Sequence, residues 1–366
     1  MQSNGLAPGA MQHGRPPLRV GIMGASNIGR KNARAIERSE NCTLVAVASR
    51  DLSKARAWLD ALHLHHVTAL GSYQELLESD VQAVYLPLPT SLHLEWAVKA
   101  AKKGKHILIE KPVARTSQEL EQIIACCQEH NVALLDGTMF AHHVRFAAVQ
   151  RLFCDKVHWK PCRVTAAFTF LADQAFLNGS NIRTRIDGDA LGCLGDVGWY
   201  CIRFGLYAFN DDQPLKVASR LHAATTQGVP LDMDVDVHFS EGKLLTFHCS
   251  FLHHNRQWFE AASGDGKIIR CDDFVIPRRE EKCDFTIEDI PAEQTGEFDT
   301  VVRGVKTTVP FFHCSQEICM WDHFAKLAAD PSRGNKALEA VRSTHRILDA
   351  AVESASNGGK MVDVAA

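Results

Sequence analysis

The residues of this chain best suited to chemistry come at the end of an apolar segment, where Glu110-Lys111-Pro112 follows Gly104–Ile109. The apolar segment predicts a β-strand, and open α/β sheets bind their ligands at the carboxyl ends of such strands. An ammonium at that edge, held against a nicotinamide ring, pairs with a substrate hydroxyl or with a catalytic phenol. Lys111 therefore indicates redox chemistry rather than simple binding.

A second candidate group lies in Leu191–Arg203, where glycines precede a predicted helix that carries Asp196 and Tyr200. These two residues stand at i and i+4, which places their side chains on one helix face. A phenol acts as a general acid in carbonyl reduction when a nearby cation favours its ionised form. We expect Lys111 to supply that cation across a cleft and to lower the pKa of Tyr200. The alternative is that Asp196 caps the helix and Tyr200 is a packed aromatic residue.

The elements that must position these residues begin with an alternation of strands and helices from Leu18, which predicts a parallel sheet with helices on both faces. Its strands are predicted at Leu18–Met23, Leu44–Ala48, Ala83–Leu86, Ile107–Ile109 and Val132–Leu135. The predicted fold class is α/β, and its first part is a doubly wound Rossmann-type sheet.

After about Asp136 the pattern changes to one typical of an α+β domain with a large, mainly antiparallel open sheet. Its strands are predicted at Arg163–Phe170, Lys216–His222, Met233–Ser240, Lys243–Leu252, Gln257–Ala262 and Lys267–Cys271. Residues 232–239 alternate polar and apolar side chains, which indicates a sheet with one buried face. We predict a disordered leader over residues 1–17, a dinucleotide-binding domain over 18–140, and a substrate and oligomerisation domain over 141–366.

The turn after the first strand is close to the G-x-G-x-x-G fingerprint of dinucleotide-binding proteins, with serine in place of the middle glycine. The first glycine permits the tight turn, the third permits close helix packing, and the helix N-terminus faces a pyrophosphate. The candidate cofactor-binding residues of this turn are Gly24, Ser26, Asn27, Ile28 and Gly29. The alternative is an ordinary strand-to-helix turn.

The end of the second strand indicates which cofactor is bound. An acidic residue about 20 positions past the glycine turn binds the ribose hydroxyls of NAD, but this chain has Ser49-Arg50, with Lys54 in the next helix. A hydroxyl and two cations favour binding of the extra phosphate that NADP carries on its ribose. We therefore expect NADP as the cofactor, with NAD as the second choice. The alternative is that Arg50 and Lys54 are ordinary solvated charges.

Further candidates border the same predicted cleft. We expect the nicotinamide to lie near the strand ends, and the cofactor-binding residues there are Pro87, Leu88, Pro89, His93, Glu110 and Lys111. The candidates for substrate binding are His142, Arg145, Arg183 and Tyr200. We expect no metal, because the histidine clusters at residues 63–66, 142–143 and 253–254 lie on three unrelated elements and a metal site needs fixed geometry.

Composition excludes several classes of protein. A net charge of −3 without basic runs argues against nucleic-acid or membrane partners, and no apolar run approaches the roughly 18 residues that span a bilayer. Twelve cysteines without a Cys-x-x-Cys pair or a signal peptide indicate reduced thiols and a cytoplasmic location. The aromatic-rich strand Leu245–Phe251 predicts a face that packs either on another part of the protein or on another copy. The exposed face of the open sheet leads us to expect a homodimer or higher homo-oligomer.

Several segments together resemble the Gfo/Idh/MocA family of oxidoreductases. They are the glycine turn, Pro87–His93, Gly104–Pro112, Asp136–Phe140 and Leu191–Tyr200. The resemblance runs from about Leu18 to near the C-terminus. Within the family, the sequence is most similar to plant-type members and to dimeric dihydrodiol dehydrogenases.

The resemblance implies NADP- or NAD-dependent hydride transfer to or from a secondary alcohol or ketone of a sugar, an inositol or a related cyclic polyol or diol. It implies that Lys111 is catalytic and that Asp196 and Tyr200 match the family's Asp-x-x-x-His/Tyr pair. Many members have histidine where this chain has Tyr200, and the dihydrodiol branch has tyrosine. Two alternatives stay open: a non-catalytic NADP(H)-binding regulator, and an enzyme that recycles bound NAD while it cleaves a glycosidic bond.

Overall fold

Six parallel strands form the first sheet of the computed structural model, which describes residues 16–154, 159–210, 212–264, 266–279, 283–294, 300–308 and 315–365. The strands are β1 (Leu18–Met23), β2 (Cys42–Ala48), β3 (Thr68–Leu70), β4 (Ala83–Leu86), β5 (His106–Ile109) and β6 (Leu134–Asp136). The helices between them are α1 (Asn27–Ile36), α2 (Leu52–Asp60), α3 (Tyr73–Glu78), α4 (His93–Lys102) and α5 (Ser117–Glu129). Residues 1–15 of the expected leader lie outside the described residues.

The order β3-β2-β1-β4-β5-β6 confirms the predicted doubly wound sheet. The chain reverses its direction of travel across the sheet between β1 and β4, and such a switch point is where open α/β sheets bind ligands. The strand β3 and the helix α3 are absent from the sequence-based expectations because three and six residues are too short for a clear periodicity.

Nine strands form the second sheet. After α6 (Val144–Cys154) they are β7 (Pro161–Leu171), β8 (Lys216–Ala224), β9 (Pro230–His238), β10 (Leu244–Ser250), β11 (Leu252–Ser263), β12 (Lys267–Cys271), β13 (Asp284–Gln294), β14 (Thr300–Thr308) and β15 (Val362–Asp363). Neighbouring strands pair antiparallel, except that β10 runs parallel to β7. This topology confirms the large, mainly antiparallel sheet.

Helix α7 (Trp199–Ala208) and the long helix α9 (Asn335–Ser356) cover one face of this sheet, which we call the inner face. The apolar side chains of β10 and of the residue after it belong to that inner face, because Leu245, Phe247 and Phe251 are 0%, 1% and 0% exposed. The strand therefore packs as expected, and its partners lie within the same chain. The opposite face, which we call the outer face, carries the polar residues of β9 and β10.

Helix α8 (Gln316–Ala329) returns from the second sheet to the first. Its apolar side chains Met320, Trp321 and Phe324 are buried in one cluster with Val20 and Ile22 of β1. The chain therefore completes the core of its first sheet with residues near its far end. Within the described part of the chain, every helix is too short or too polar to cross a membrane.

Candidate active site

The glycine turn lies between β1 and α1 and contacts the loop after β4. Gly24 has a φ of +120°, a conformation that side chains disfavour, and a Cβ there would stand 3.3 Å from Leu88 Cδ2. Ser26 has an ordinary φ of −96°, and its hydroxyl oxygen accepts a hydrogen bond from the Gly29 N–H at 3.0 Å. Serine therefore replaces the middle glycine without strain and caps α1, whose N-terminus carries a partial positive charge suited to a phosphate.

The rim beside this turn carries the residues expected to choose the cofactor. The Ser49 side chain is buried, whereas Arg50 and Lys54 are exposed. Arg50 follows the carboxyl end of β2 by two residues, and its charge opposes the rise that burial causes in the pKa of Tyr73. The Tyr73 hydroxyl is 3.8 Å from the position of a Cβ on Gly24. Arg50 thus stands at the same sheet edge as the glycine turn.

His93 does not face an open cleft, contrary to the expectation from sequence. Its ring is 0% exposed, with Nδ1 3.0 Å from the Pro112 carbonyl oxygen and Nε2 2.9 Å from the Leu88 carbonyl oxygen. Burial lowers the pKa of His93 to about 4, so the ring is neutral near pH 7. The side chain joins the loops that follow β4 and β5, and we withdraw it from the cofactor-binding set.

A buried ion pair links the two halves of the chain. Lys111 Nζ lies 2.7 Å from Asp196 Oδ1 and 2.5 Å from the Asp196 carbonyl oxygen. Arg183 Nε lies 2.9 Å from the same Oδ1. The Lys111 and Asp196 side chains are 7% and 11% exposed, and that of Arg183 is 37% exposed. Burial opposes the ionisation of Asp196, but the charges of Arg183 and Lys111 hold its pKa well below its usual value.

Tyr200 stands next to this ion pair with its ring under the lysine. Lys111 Nζ is 4.8 Å from the ring centroid, and the hydroxyl lies 3.7 Å from Met139 Sδ. Burial raises the pKa of Tyr200 well above its usual value, the charges of Glu110 and Asp196 add to the rise, and the charge of Arg183 opposes it. The expectation of a lowered pKa for Tyr200 is therefore wrong for this arrangement, in which the Lys111 ammonium pairs with Asp196.

Helix geometry at this point also differs from the expectation. Residues Leu194–Gly198 form a π-helical turn that continues into α7, so Asp196 and Tyr200 do not sit on a regular α-helix. A Cβ on Gly195 would lie 2.9 Å from Pro112 Cγ, which explains the small residue. Close contact between this turn and the loop after β5 brings Lys111 to Asp196.

A chain of hydrogen bonds runs beneath the site from α8 to Glu110. Trp321 Nε1 donates to Asn32 Oδ1 at 2.9 Å, Asn32 Nδ2 donates to the Tyr85 hydroxyl at 2.8 Å, and that hydroxyl donates to Glu110 Oε1. Burial raises the pKa of Glu110, while the Tyr85 hydrogen bond and the charge of Lys111 oppose the rise. Sequence reasoning found Glu110 but not Asn32 or Tyr85, which look like ordinary helix and strand residues.

One further acid near the ion pair has no signal in the sequence. Asp189 is 8% exposed and accepts a hydrogen bond from the Thr90 hydroxyl. Burial raises the pKa of Asp189, the Thr90 hydrogen bond opposes the rise, and the charge of Asp196 adds to it. Together with the bond from the Ser91 N–H to the Gly188 carbonyl at 3.2 Å, this contact closes the loop after β4 over the segment that carries Arg183.

Two residues expected to bind substrate, Arg145 and His142, have side chains that contact other residues of the protein instead. Arg145 is 4% exposed, and its guanidinium bonds the Asp273 carboxylate and the Asp273 carbonyl oxygen. His142 Nδ1 lies 3.1 Å from His323 Nδ1 on α8, and burial lowers the pKa of His142 to about 3. Because those contacts occupy both side chains, we withdraw them from the substrate-binding set and keep Arg183 and Tyr200.

The buried ion pair predicts the behaviour of an Asp196→Asn variant. We expect the free energy of unfolding at pH 7 to fall by about 3 kcal/mol, because Lys111 stays buried without a counter-charge. The folded-state pKa of Asp196 is depressed, so its contribution is complete above pH ~5 and is lost as the pH falls through ~3.9 and below. Urea denaturation of both proteins at pH 7, 5 and 4 measures the difference, which should shrink only at the lowest pH.

Asp187→Asn is the matched control, because Asp187 pairs with exposed Arg185 in the same segment. We expect no measurable change in its unfolding midpoint, since solvent screens exposed pairs. If Asp196→Asn were as stable as the wild type at pH 7, the ion pair would not hold the two halves together.

These features define a class of protein: a Rossmann-type fold with a buried lysine–aspartate pair beside a tyrosine at the junction of two sheets. The profile of the "Oxidoreductase family, NAD-binding Rossmann fold" (GFO_IDH_MocA) matches residues 18–138. The chain is 31% identical to the dTDP-3,4-didehydro-2,6-dideoxy-alpha-D-glucose 3-reductase of Saccharopolyspora spinosa. The matching region is 257 residues long and covers 70% of this chain and 75% of that protein. The chain belongs to the Gfo/Idh/MocA family, which confirms the resemblance and the expectation of an oxidoreductase.

Other relatives agree with this assignment. The D-xylose 1-dehydrogenase (NADP(+)) 2 of Haloferax volcanii is 32% identical over 69% of this chain and 75% of its own length. The trans-1,2-dihydrobenzene-1,2-diol dehydrogenase of Xenopus laevis is 27% identical over 48% of this chain and 52% of its own length. The crystal structure of the 3-ketoreductase KijD10 from Actinomadura kijaniata with NADP and TDP-benzene has the same fold, with a TM-score of 0.80, 23% identity, and coverage of 92% of this chain and 98% of that one.

Proposed function

We propose that the protein is an NADP-dependent oxidoreductase that transfers a hydride between the nicotinamide and a secondary alcohol or ketone of a sugar, an inositol or a related cyclic diol. The observation that carries the proposal is the buried Lys111 ammonium, held by Asp196 over the ring of Tyr200 at the strand ends of a dinucleotide-binding sheet. Relatives that reduce a keto-sugar or oxidise D-xylose and a cyclic diol support the substrate class.

Tyr200 is the proposed proton carrier, because its ring lies 4.8 Å from Lys111 Nζ and its hydroxyl makes only a weak hydrogen bond, to Met139 Sδ, among the described residues. Its raised pKa keeps the phenol protonated near neutral pH, which suits a group that gives a proton to a ketone oxygen. Lys111 stabilises the negative charge that develops on that oxygen. Asp196 fixes the lysine, and Arg183, which is partly exposed, lies where it can bind a substrate hydroxyl.

The residues present fit the cofactor. The positive φ of Gly24 and the serine-capped N-terminus of α1 form a cradle that a phosphate can approach. When bound there, NADP(H) accepts or supplies the hydride. We propose that Gly24, Ser26, Asn27, Ile28 and Gly29 hold the pyrophosphate, that Arg50 and Lys54 bind the ribose phosphate, and that Pro87, Leu88, Pro89 and Glu110 border the nicotinamide.

The preference for NADP predicts the effect of Arg50→Ala. We expect the Kd for NADPH to rise about tenfold because a charge-assisted hydrogen bond to the ribose phosphate is lost, and the Kd for NADH to change little. Tryptophan fluorescence titration measures both values. Arg56→Ala, an exposed arginine on the same helix as Lys54, is the control that should leave both unchanged. Equal losses for NADPH and NADH would contradict the role of Arg50.

Turnover of NADP(H) tests the proposal directly. The purified protein is incubated with NADP and a panel of sugars, inositols and cyclic diols, and with NADPH and the corresponding ketones, while absorbance at the NADPH band is followed. We expect substrate-dependent turnover with at least one member. Release of a free sugar from a glycoside without net change in the cofactor would instead favour the recycling enzyme, and binding without any turnover would favour a regulator.

We further propose that residues 18–140 and 141–366 act as the dinucleotide-binding and substrate domains, and that the protein works as a homodimer in the cytoplasm. The outer face of the second sheet supports the dimer, because it holds a groove of about 350 Å³ lined by Thr246, Trp258, His248 and His253. The buried cysteines Cys42, Cys127 and Cys201 are free thiols, which suits a reducing compartment. A solution mass equal to one chain, 40.5 kDa, would contradict the dimer.

A further inference from the structure

A cluster of histidines and acids lies on the outer face of the second sheet, away from the proposed active site. On β9 and β10, Asp232 pairs in register with Ser250, and Asp234 with His248. His253 follows at the start of β11, where the pairing with β7 is interrupted. Cys249, between these residues, points to the inner face and is buried against Gly198, so the sheet separates the cluster from Tyr200.

Three side chains converge on one point. Asp232 Oδ1 is 3.3 Å from His248 Nε2, and Asp232 Oδ2 is 3.2 Å from His253 Nε2. The three ligand atoms all lie within 4.8 Å of one another. Ligand atoms about 2.1 Å from a zinc ion stand roughly 3 to 4 Å apart, so the observed separations are close to those of a coordination sphere.

The atoms around the cluster are those that a metal site needs. His248 Nδ1 is 2.7 Å from Asp234 Oδ1, which fixes the ring with its proton on Nδ1 and turns the Nε2 lone pair toward Asp232. The other oxygen of Asp234 is 2.8 Å from His222 Nε2. Within the described residues, Asp232 Oδ1 is buried and has no hydrogen-bond donor of acceptable geometry. A buried carboxylate oxygen without a donor points to a ligand.

We propose that Asp232, His248 and His253 bind a divalent transition-metal ion of the zinc type on the outer face of the second sheet. Imidazole nitrogens with one carboxylate suit such ions, and three protein ligands leave a position open to water. The ion links β9 and β10 to the start of β11 and plays no part in hydride transfer, because the sheet lies between it and Tyr200. The expectation of no metal considered His253-His254 as a pair, whereas the site uses His253 with residues that are distant in sequence.

The test uses the full-length protein without a polyhistidine tag, freed of metal by a chelator and titrated with Zn²⁺ by calorimetry and with Co²⁺ by visible absorption. We expect one ion per chain, a visible Co²⁺ band typical of four or five ligands, and a Tm that rises with the Zn²⁺ concentration. His253→Ala should raise the Kd at least tenfold and remove the rise in Tm. Its side chain is 50% exposed, so the variant should fold.

Two further variants make the result specific. Asp234→Asn, which removes the acceptor behind His248, should raise the Kd about 10- to 100-fold, and His254→Ala, the exposed neighbour outside the set, should leave it unchanged. Turnover of NADP(H) should be the same with and without the ion. Failure of the wild type to bind one ion per chain, or an equal loss in His254→Ala, would overturn the proposal.

Discussion

Lys111→Met is expected to lower kcat by about a thousand-fold, because it removes the cation that stabilises charge on the reacting oxygen. The Lys111 ammonium is buried and is held at 2.7 Å from Asp196, so no solvent cation can take its place. Methionine is unbranched and only one heavy atom shorter than lysine, so it fills most of the same space without the charge. Steady-state kinetics with the best substrate of the panel measures the effect, and fluorescence titration should show that the Kd for NADPH changes only a few-fold.

Lys105→Met is the matched control. Lys105 precedes the same strand, β5, and its Nζ donates to the carbonyl oxygens of Ser79 and Val81 at 2.9 and 2.7 Å. This variant also loses a lysine with buried contacts, but at the opposite end of the strand, so kcat should stay near the wild-type value. If Lys111→Met kept most of the wild-type kcat, the proposed mechanism would be wrong.

Tyr200→Phe is expected to cost about a thousand-fold in kcat, since the variant has no proton to exchange with the substrate oxygen. The phenyl ring remains beneath Lys111 and against Phe140 and Phe168. The hydroxyl donates a hydrogen bond to the Met139 sulfur at 3.7 Å, which is a weak acceptor. Stability should therefore change little, and a change confined to kcat separates a chemical role from a packing role.

The pH dependence of the wild type gives an independent check on Tyr200. Burial and the nearby acids raise the pKa of its phenol well above the usual value, so reduction of the ketone should not decline between pH 7 and 10 through loss of this proton.

Tyr207→Phe is the control for Tyr200→Phe, because Tyr207 lies on the same helix and its hydroxyl accepts a hydrogen bond from Arg203 at 2.8 Å. A Tyr207→Phe variant as impaired as Tyr200→Phe would argue against a specific proton carrier.

The two sheets could be predicted from the sequence, and the candidate site residues could be proposed from it, because both depend on local patterns. Apolar strands, a glycine turn and an i, i+4 pair can each be recognised within about ten residues. The partner of Lys111 could not be predicted in the same way. From the sequence, the expected partner of Lys111 is the hydroxyl of Tyr200. In the structure the partner is the carboxylate of Asp196, because Leu194–Gly198 form a π-helical turn and Gly195 packs closely on Pro112.

Residues whose roles depend on distant contacts were the least predictable. His93 and Arg145 have types that often bind ligands, but each is fully occupied by groups from other elements. Asp232 and His248 form a cluster because β9 and β10 pair in a particular register, and spacing along the chain does not reveal that register. The burial of a side chain is a property of the whole fold, so the same residue type serves structure in one place and chemistry in another.

The return of α8 to the first sheet determines when the protein can become complete during its synthesis. Trp321 fills the core beside β1 and donates the hydrogen bond that leads through Asn32 and Tyr85 to Glu110. A ribosome adds Trp321 only 289 residues after Asn32. Until then the nucleotide-binding half has an uncovered apolar surface, so a nascent or truncated chain that ends before α8 should need a chaperone or a substitute helix to stay in solution.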